Sequence, residues 1–140
     1  MRRDRAAGFT FLELIVVLSL VAVLLGLAFS SWRGHVAKQR LRYGIVQVAT
    51  GLRQAQERAK EARVPYTVTF VEDSSAYTIA GGGFVENATM PDGVTAADDD
   101  LVTFSAFGQP DAAHTITLRN STGEGTVTVN ATGGITYQTP

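Results

Sequence analysis

The chain has no cysteine, which excludes a disulfide framework, thiol nucleophiles and thiolate metal sites in a single stroke. It has two histidines in 140 residues, His35 and His114, too far apart in sequence to suggest a paired imidazole site. Basic residues are scarce in one half. Residues 63–140 hold only Arg63 and Arg119 against nine acids, a balance of −7, whereas residues 1–62 carry +6. A carboxyl-terminal half so short of cations is a poor design for gripping phosphates by bulk electrostatics. The four prolines leave residues 1–64 untouched, so nothing there forbids a long helix.

What is present is one long apolar run. Phe9–Phe29 reads FTFLELIVVLSLVAVLLGLAF, 21 residues with a single ionisable side chain, Glu13. As a helix it rises roughly 32 Å, enough to cross a hydrocarbon core. A polar leader, MRRDRAAG, precedes it and ends at Gly8. A secretory signal places its small-residue junction after the apolar run, where the helix is lost on cleavage. Here the junction lies before the run, so cutting between Gly8 and Phe9 leaves the helix attached to the chain. Glu13 is expensive in such a segment: an ionised side chain at a bilayer centre costs about 2.5–3.5 kcal/mol on insertion scales. A new α-amino group at Phe9 would lie four residues away, about one helical turn, and could offset that charge within one chain or between neighbours. The plainer alternative is a polar residue close to a membrane face, where snorkelling reduces the penalty.

The basic leader, Gly8, Phe9, Thr10 and the apolar residues around Glu13, GFTFLELIVVL, resemble the class III signal of type IV pilin-like proteins. The resemblance implies cleavage after Gly8 by a prepilin peptidase, methylation of the Phe9 amine, and use of Glu13 in subunit registration. It also implies a bacterial inner-membrane protein with its amino terminus inside and its head outside, later moved into a surface or periplasmic filament. Charge counting alone leaves the orientation open, because Arg2, Arg3 and Arg5 flank one end of the run and Arg33, Lys38, Arg40 and Arg42 the other. The implied partners are other pilins or pseudopilins, the prepilin peptidase, an inner-membrane assembly platform and, before assembly, membrane lipid. One departure is visible: many pilins kink with a proline near the end of the run, and this chain has Ser30.

Beyond the run the helical pattern continues with a different periodicity. Leu41, Ile45, Val48, Leu52, Ala55 and Ala59 form one apolar stripe, with Arg40, Arg42, Gln47, Arg53, Gln54, Arg58 and Lys60 opposite. Gly44 and Gly51 weaken such a helix by about 0.8–1 kcal/mol each relative to alanine. Close packing and simple tolerance both explain them. An unbroken helix from Phe9 to Ala62 would measure about 80 Å, and Pro65 ends it. Trp32 and Tyr43 suit a membrane-interface belt.

After Pro65 the code changes to alternation and threonine. Tyr66–Phe70 and Tyr77–Ile79 form a hairpin about a turn at Glu72–Ser75. Gly81 to Asp100 reads as loop with a short strand near Val85 or Val94. Leu101–Phe104, Thr115–Leu118, Thr126–Val129 and Ile135–Tyr137 alternate again. The inward set is Val68, Phe70, Ile79, Phe104, Ile116, Leu118, Val127, Val129 and Ile135. The expected fold is α+β: a long helix, membrane-spanning in its first half and amphipathic in its second, packed on one antiparallel sheet. The divisions are a leader over 1–8, a membrane or filament-core helix over 9–29, its amphipathic continuation over 30–62, and a β-rich head over 63–140.

Residues 102–110, 115–120 and 125–135 further resemble the carboxy-terminal sheet of minor pilins and pseudopilins of the type II secretion H-subunit, or fimbrial T-like, kind. Some fimbrial T-like relatives end in a basic motif implicated in DNA uptake. The corresponding end here, Gly133–Gln138, has no arginine, so DNA is the disfavoured partner. Two other roles stand beside the filament subunit: a DNA-capturing minor pilin, and a single-pass anchored domain that never polymerises.

No catalytic residue, metal ligand or cofactor is expected. Asp98–Asp100 with Asp92 offers oxygens of the kind Ca²⁺ takes, but consecutive acids diverge and EF-hand spacing is absent. Ser105, Asp111 and His114 make a hydrolase triad only on paper, without a nucleophile elbow. Gly81–Gly83 lacks the strand-to-helix setting of a phosphate cradle. The glycosylation-like triplets at Asn87, Asn120 and Asn130 read as polar turn and strand residues.

Overall fold

The computed structural model describes residues 10–140, with the side chains of 27–33 left out. The chain divides into two compact units, Met1–His35 and Val36–Pro140. A single helix, α1 (Phe11–Ala62), contributes to both.

In the first unit α1 starts at Thr10, whose hydroxyl accepts the Glu13 N–H at 3.2 Å while its carbonyl accepts the Leu14 N–H. That is an N-cap, satisfying one of the donors a helix start leaves orphaned. From Phe11 to Leu25 the large apolar side chains are exposed on every face, with no stripe turned inward. Among the described residues no helix is long and apolar enough to cross a membrane. Of the expected 9–29 span, Phe9 and the side chains of 27–29 lie outside the described residues, as do Ser30 and Trp32.

The second unit is an α+β head. The stripe Leu41, Ile45, Val48, Leu52, Ala55 and Ala59 is fully buried, joined by Ala49. Arg63 adopts a left-handed conformation (φ 55°) just past the helix, and Pro65 follows two residues later. Eight strands then follow: β1 (Tyr66–Phe70), β2 (Ala76–Gly81), β3 (Phe84–Thr89), β4 (Thr95–Ala96), β5 (Asp100–Phe104), β6 (His114–Asn120), β7 (Gly123–Val129) and β8 (Ile135–Gln138). They form two four-stranded sheets, ordered β3-β2-β1-β5 and β4-β6-β7-β8, with every strand pair antiparallel. The expectation of one sheet is corrected here. The chain leaves the first sheet for β4, returns for β5 and leaves again, and both sheets feed one core with the helix stripe.

The expected inward set is buried throughout, and Tyr66, Tyr77, Met90, Val94, Ala96 and Val102 join it. Close approach explains both helix glycines of this unit. A Cβ on Gly51 would stand 2.6 Å from the Tyr77 hydroxyl, and one on Gly44 would stand 3.1 Å from Val94 Cγ1. The Tyr77 ring, stacked on Phe70 at 5.3 Å between centroids, lies where a side chain on the helix would be.

The segment 81–100 also departs from expectation. Gly82 and Gly83, at φ 59° and 83°, make a two-residue turn of the kind whose twist matches a hairpin. They return the chain as β3, six residues in full register with β2. The short strand expected near Val85 or Val94 is present at both places and is longer at the first, and only the stretch between Met90 and Asp100 is irregular apart from β4.

Candidate functional site

Of the residues expected to carry function at the amino terminus, Gly8 and Phe9 lie outside the described residues, and Glu13 is described. Thr10 at the N-cap and Glu13 three residues on make the S/T-x-x-E pattern of a capping box, which reading Glu13 for its charge alone overlooked. The pattern stands in the sequence as T-F-L-E. An acid in the first turn also faces the positive end of the helix dipole. Glu13 is exposed, in company with apolar side chains such as Phe11, Leu12 and Leu14. This leaves an exposed carboxylate among exposed apolar side chains in the first turn of the helix.

The head's titratable residues serve its own structure. His114 opens β6 between two acids: Nδ1 is 2.9 Å from Asp100 Oδ1 and Nε2 is 3.0 Å from Asp111 Oδ1. Asp100 begins β5, so the imidazole ties the two sheets together. Burial opposes its charge, but the hydrogen bonds and negative charges of Asp100 and Asp111 outweigh that and raise its pKa. Asp111 feels desolvation too, and is held below its ordinary value by hydrogen bonds to Thr103 N–H and His114 and by the imidazole's charge.

Two members of the paper triad, Asp111 and His114, do meet. Ser105 instead accepts the N–H groups of Phe107 and Gln109 in its own turn. In the acidic run, Asp99 accepts the Glu72 N–H at 2.7 Å and Asp100 engages His114. Among the described residues no group of three or more His, Cys, Asp or Glu is arranged to hold a metal.

Arg58, expected on a solvated face, reaches Glu86 on β3 at 2.7 Å with its guanidinium 4.3 Å from the Phe84 ring centroid. That pairing was out of reach of helix periodicity, because its partner lies on a strand 28 residues further along the chain. His35 is exposed in the first unit. Asn120 and Asn130 hold their own turns through Thr122 and Thr132, and Asn120 also donates to Ala37 O on the helix at 2.7 Å.

The amino-terminal sequence and the fold each have a match among known proteins. Residues 3–29 match the family described as the prokaryotic N-terminal methylation motif. Two crystal forms of the type IV minor pilin FimU from Pseudomonas aeruginosa share the fold. One has a TM-score of 0.58 at 16% identity, covering 71% of this chain and 89% of that one. The other has a TM-score of 0.57 at 16% identity, covering 70% and 92%. No curated protein sequence matches the chain. The chain is thus pilin-like in two independent respects, motif and fold.

Proposed function

We propose that the chain is a minor pilin or pseudopilin, a structural subunit without catalytic activity. A prepilin peptidase cuts it after Gly8, the Phe9 amine is methylated, and the first unit then packs among the helices of neighbouring pilins. Before assembly that unit resides in the bacterial inner membrane, with the amino terminus inside and the head outside. An assembly platform there feeds it into a type IV pilus or a type II secretion pseudopilus. Glu13 sets register by meeting the Phe9 amine of a neighbouring subunit.

The observation that carries this reading is the coincidence of the methylation motif with a helix whose apolar side chains are exposed all round. Such a helix calls for an apolar environment. Intact-mass measurement of the chain recovered from its host tests it. The expected product begins at a methylated Phe9; retention of Met1–Gly8 identifies a non-polymerising anchor instead. Replacing Glu13 with Gln should leave the mature mass otherwise unchanged and lower incorporation into filaments by about tenfold, the scale of one charge-assisted hydrogen bond. Unchanged incorporation would refute the role of Glu13 in registration.

A further inference from the structure

The segment between β5 and β6, residues 105–113, folds back on β5 with Phe104 opposite Pro110 in an antiparallel bridge. Its two ends are held by different chemistry. At the first end no bonded group titrates. Ser105 N–H donates to Gln109 O and Gly108 N–H to Ser105 O, both at 2.8 Å. Gln56 Nε2 on the helix donates to Gly108 O at 2.8 Å. At the second end Asp111 clasps Thr103 twice. Its N–H donates to Thr103 O at 2.9 Å, and its Oδ1 accepts the Thr103 N–H at 3.1 Å. That same Oδ1 is the atom 3.0 Å from His114 Nε2.

An ionised carboxylate only accepts hydrogen bonds. Both ring nitrogens of His114 face carboxylate oxygens, so both contacts are hydrogen bonds only while the ring carries two protons. A neutral imidazole has one N–H and one lone pair, and the lone pair would confront an oxygen of the same character. One contact must then open. Among the described residues the charges that bear on the ring are those of Asp100 on β5 and Asp111 on the segment, and its cross-strand neighbour on β7 is Val129. The two acids are not equivalent. The Asp100 side chain is 23% exposed and that of Asp111 46%, so water replaces a lost partner more readily at Asp111. The remaining proton therefore belongs on Nδ1.

We propose that His114 is a proton-operated latch: charged, it holds the 110–113 end of the segment down on β5, and neutral, it releases Asp111 while keeping Asp100. As Asp111 turns away from the lone pair, the Thr103 N–H loses its acceptor and the edge of β5 opens there. The Ser105–Gln109 turn stays seated on Gln56 and serves as the hinge. The tie between the sheets survives, because Asp100 and His114 stay bonded. Burial opposes the ring's charge, and the two carboxylates outweigh it. The latch is therefore shut below the ordinary imidazole value of 6.5 and lifts as pH climbs through the higher folded value. Asp111, held below its ordinary 3.8, is ionised throughout that change.

The test is nuclear magnetic resonance on the full-length chain in detergent, on both sides of the His114 titration. Imidazole nitrogen shifts should show both ring nitrogens protonated at the acid end and a neutral ring protonated on Nδ1 at the alkaline end. Amide protection factors, which remove the intrinsic pH dependence of exchange, should fall about three- to tenfold at Thr103, the worth of one hydrogen bond. Those of Ser105 and Gly108 should change by less than about twofold. A neutral ring protonated on Nε2, or unchanged protection at Thr103, overturns the latch. An equal fall at Ser105 and Gly108 also overturns it, because the head is then loosening as a whole. As a second measurement, His114→Gln puts a permanent amide donor in place of Nε2 and should hold Thr103 protection constant to within about twofold over the same range. A pH-dependent fall that persists in this variant overturns the proposal.

Discussion

Helix α1 is two different objects in one secondary-structure element. From Phe11 to Leu25 its large apolar side chains are exposed on every side, whereas Leu41, Ile45, Val48 and Leu52, with Ala49, Ala55 and Ala59, form one fully buried stripe that leaves Tyr43 and Val46 outside it. The second stretch finds its apolar partners within the chain, in the two sheets of the head. Among the described residues the first stretch has no buried stripe of its own. Continuous helical geometry therefore says nothing about where a segment's burial comes from; the angular spread of its apolar residues does.

The comparison predicts a large asymmetry between equivalent truncations. Leu52→Ala should destabilise the head by about 2–5 kcal/mol, because a fully buried leucine leaves a cavity, while Leu18→Ala should shift head unfolding by less than about 0.5 kcal/mol. Denaturant titration of both variants in detergent, followed by circular dichroism, measures the difference. Comparable losses would mean that the first stretch is packed against the head.

Glycine substitutions sharpen the same contrast. Gly51→Ala should cost about 1–3 kcal/mol, since its methyl group would run into the Tyr77 hydroxyl. Gly26 has open space around it, so Gly26→Ala should be neutral or gain up to about 1 kcal/mol in local helix stability. Thermal melts of the two variants read the sign.

The imidazole between the sheets gives the head a pH signature. His114 has a raised pKa, so its contribution is complete below the unfolded value of 6.5 and is lost as pH climbs through the higher folded value. Asp111 has a lowered pKa, so its contribution is complete above the unfolded value of 3.8 and is lost as pH falls through the lower folded value. The melting temperature should be highest between these limits and drop by about a few degrees in mildly alkaline solution. His114→Asn should flatten the alkaline side of the profile. The smallest expected effect is at the helix start, where Thr10→Ala should increase local fraying by about 1 kcal/mol and leave the head's melt untouched. Exchange rates of the Glu13 and Leu14 amides report it.

The helix stripe, the strands from β5 onward and the first hairpin could be read from the chain because their signals are local: a step of three or four, an alternation, a turn of small residues. The division into two sheets could not, because strand order depends on contacts between residues far apart, such as Glu72 beside Ala96. The length of β3, more than its existence near Val85, was obscured by its own sequence. Its helix-facing side holds Glu86, a poor strand-core residue whose charge is answered by Arg58, 28 residues earlier. At the amino terminus the charge logic of Glu13 was visible and its capping geometry went unread, though both depend on the same four letters. The His114 clamp combines a local partner, Asp111, with a distant one, Asp100, and only the local one lay within reach of spacing arguments.

Gly44 and Gly51 let Val94 and Tyr77 lie against the helix, but they also strip that section of intrinsic helical strength. Residues 36–62 are thus a helix on loan from the sheets. If the head is denatured, this section should melt with it in one cooperative event, so that a protease finds new cleavage points between Val36 and Ala62 only once the β-structure has gone.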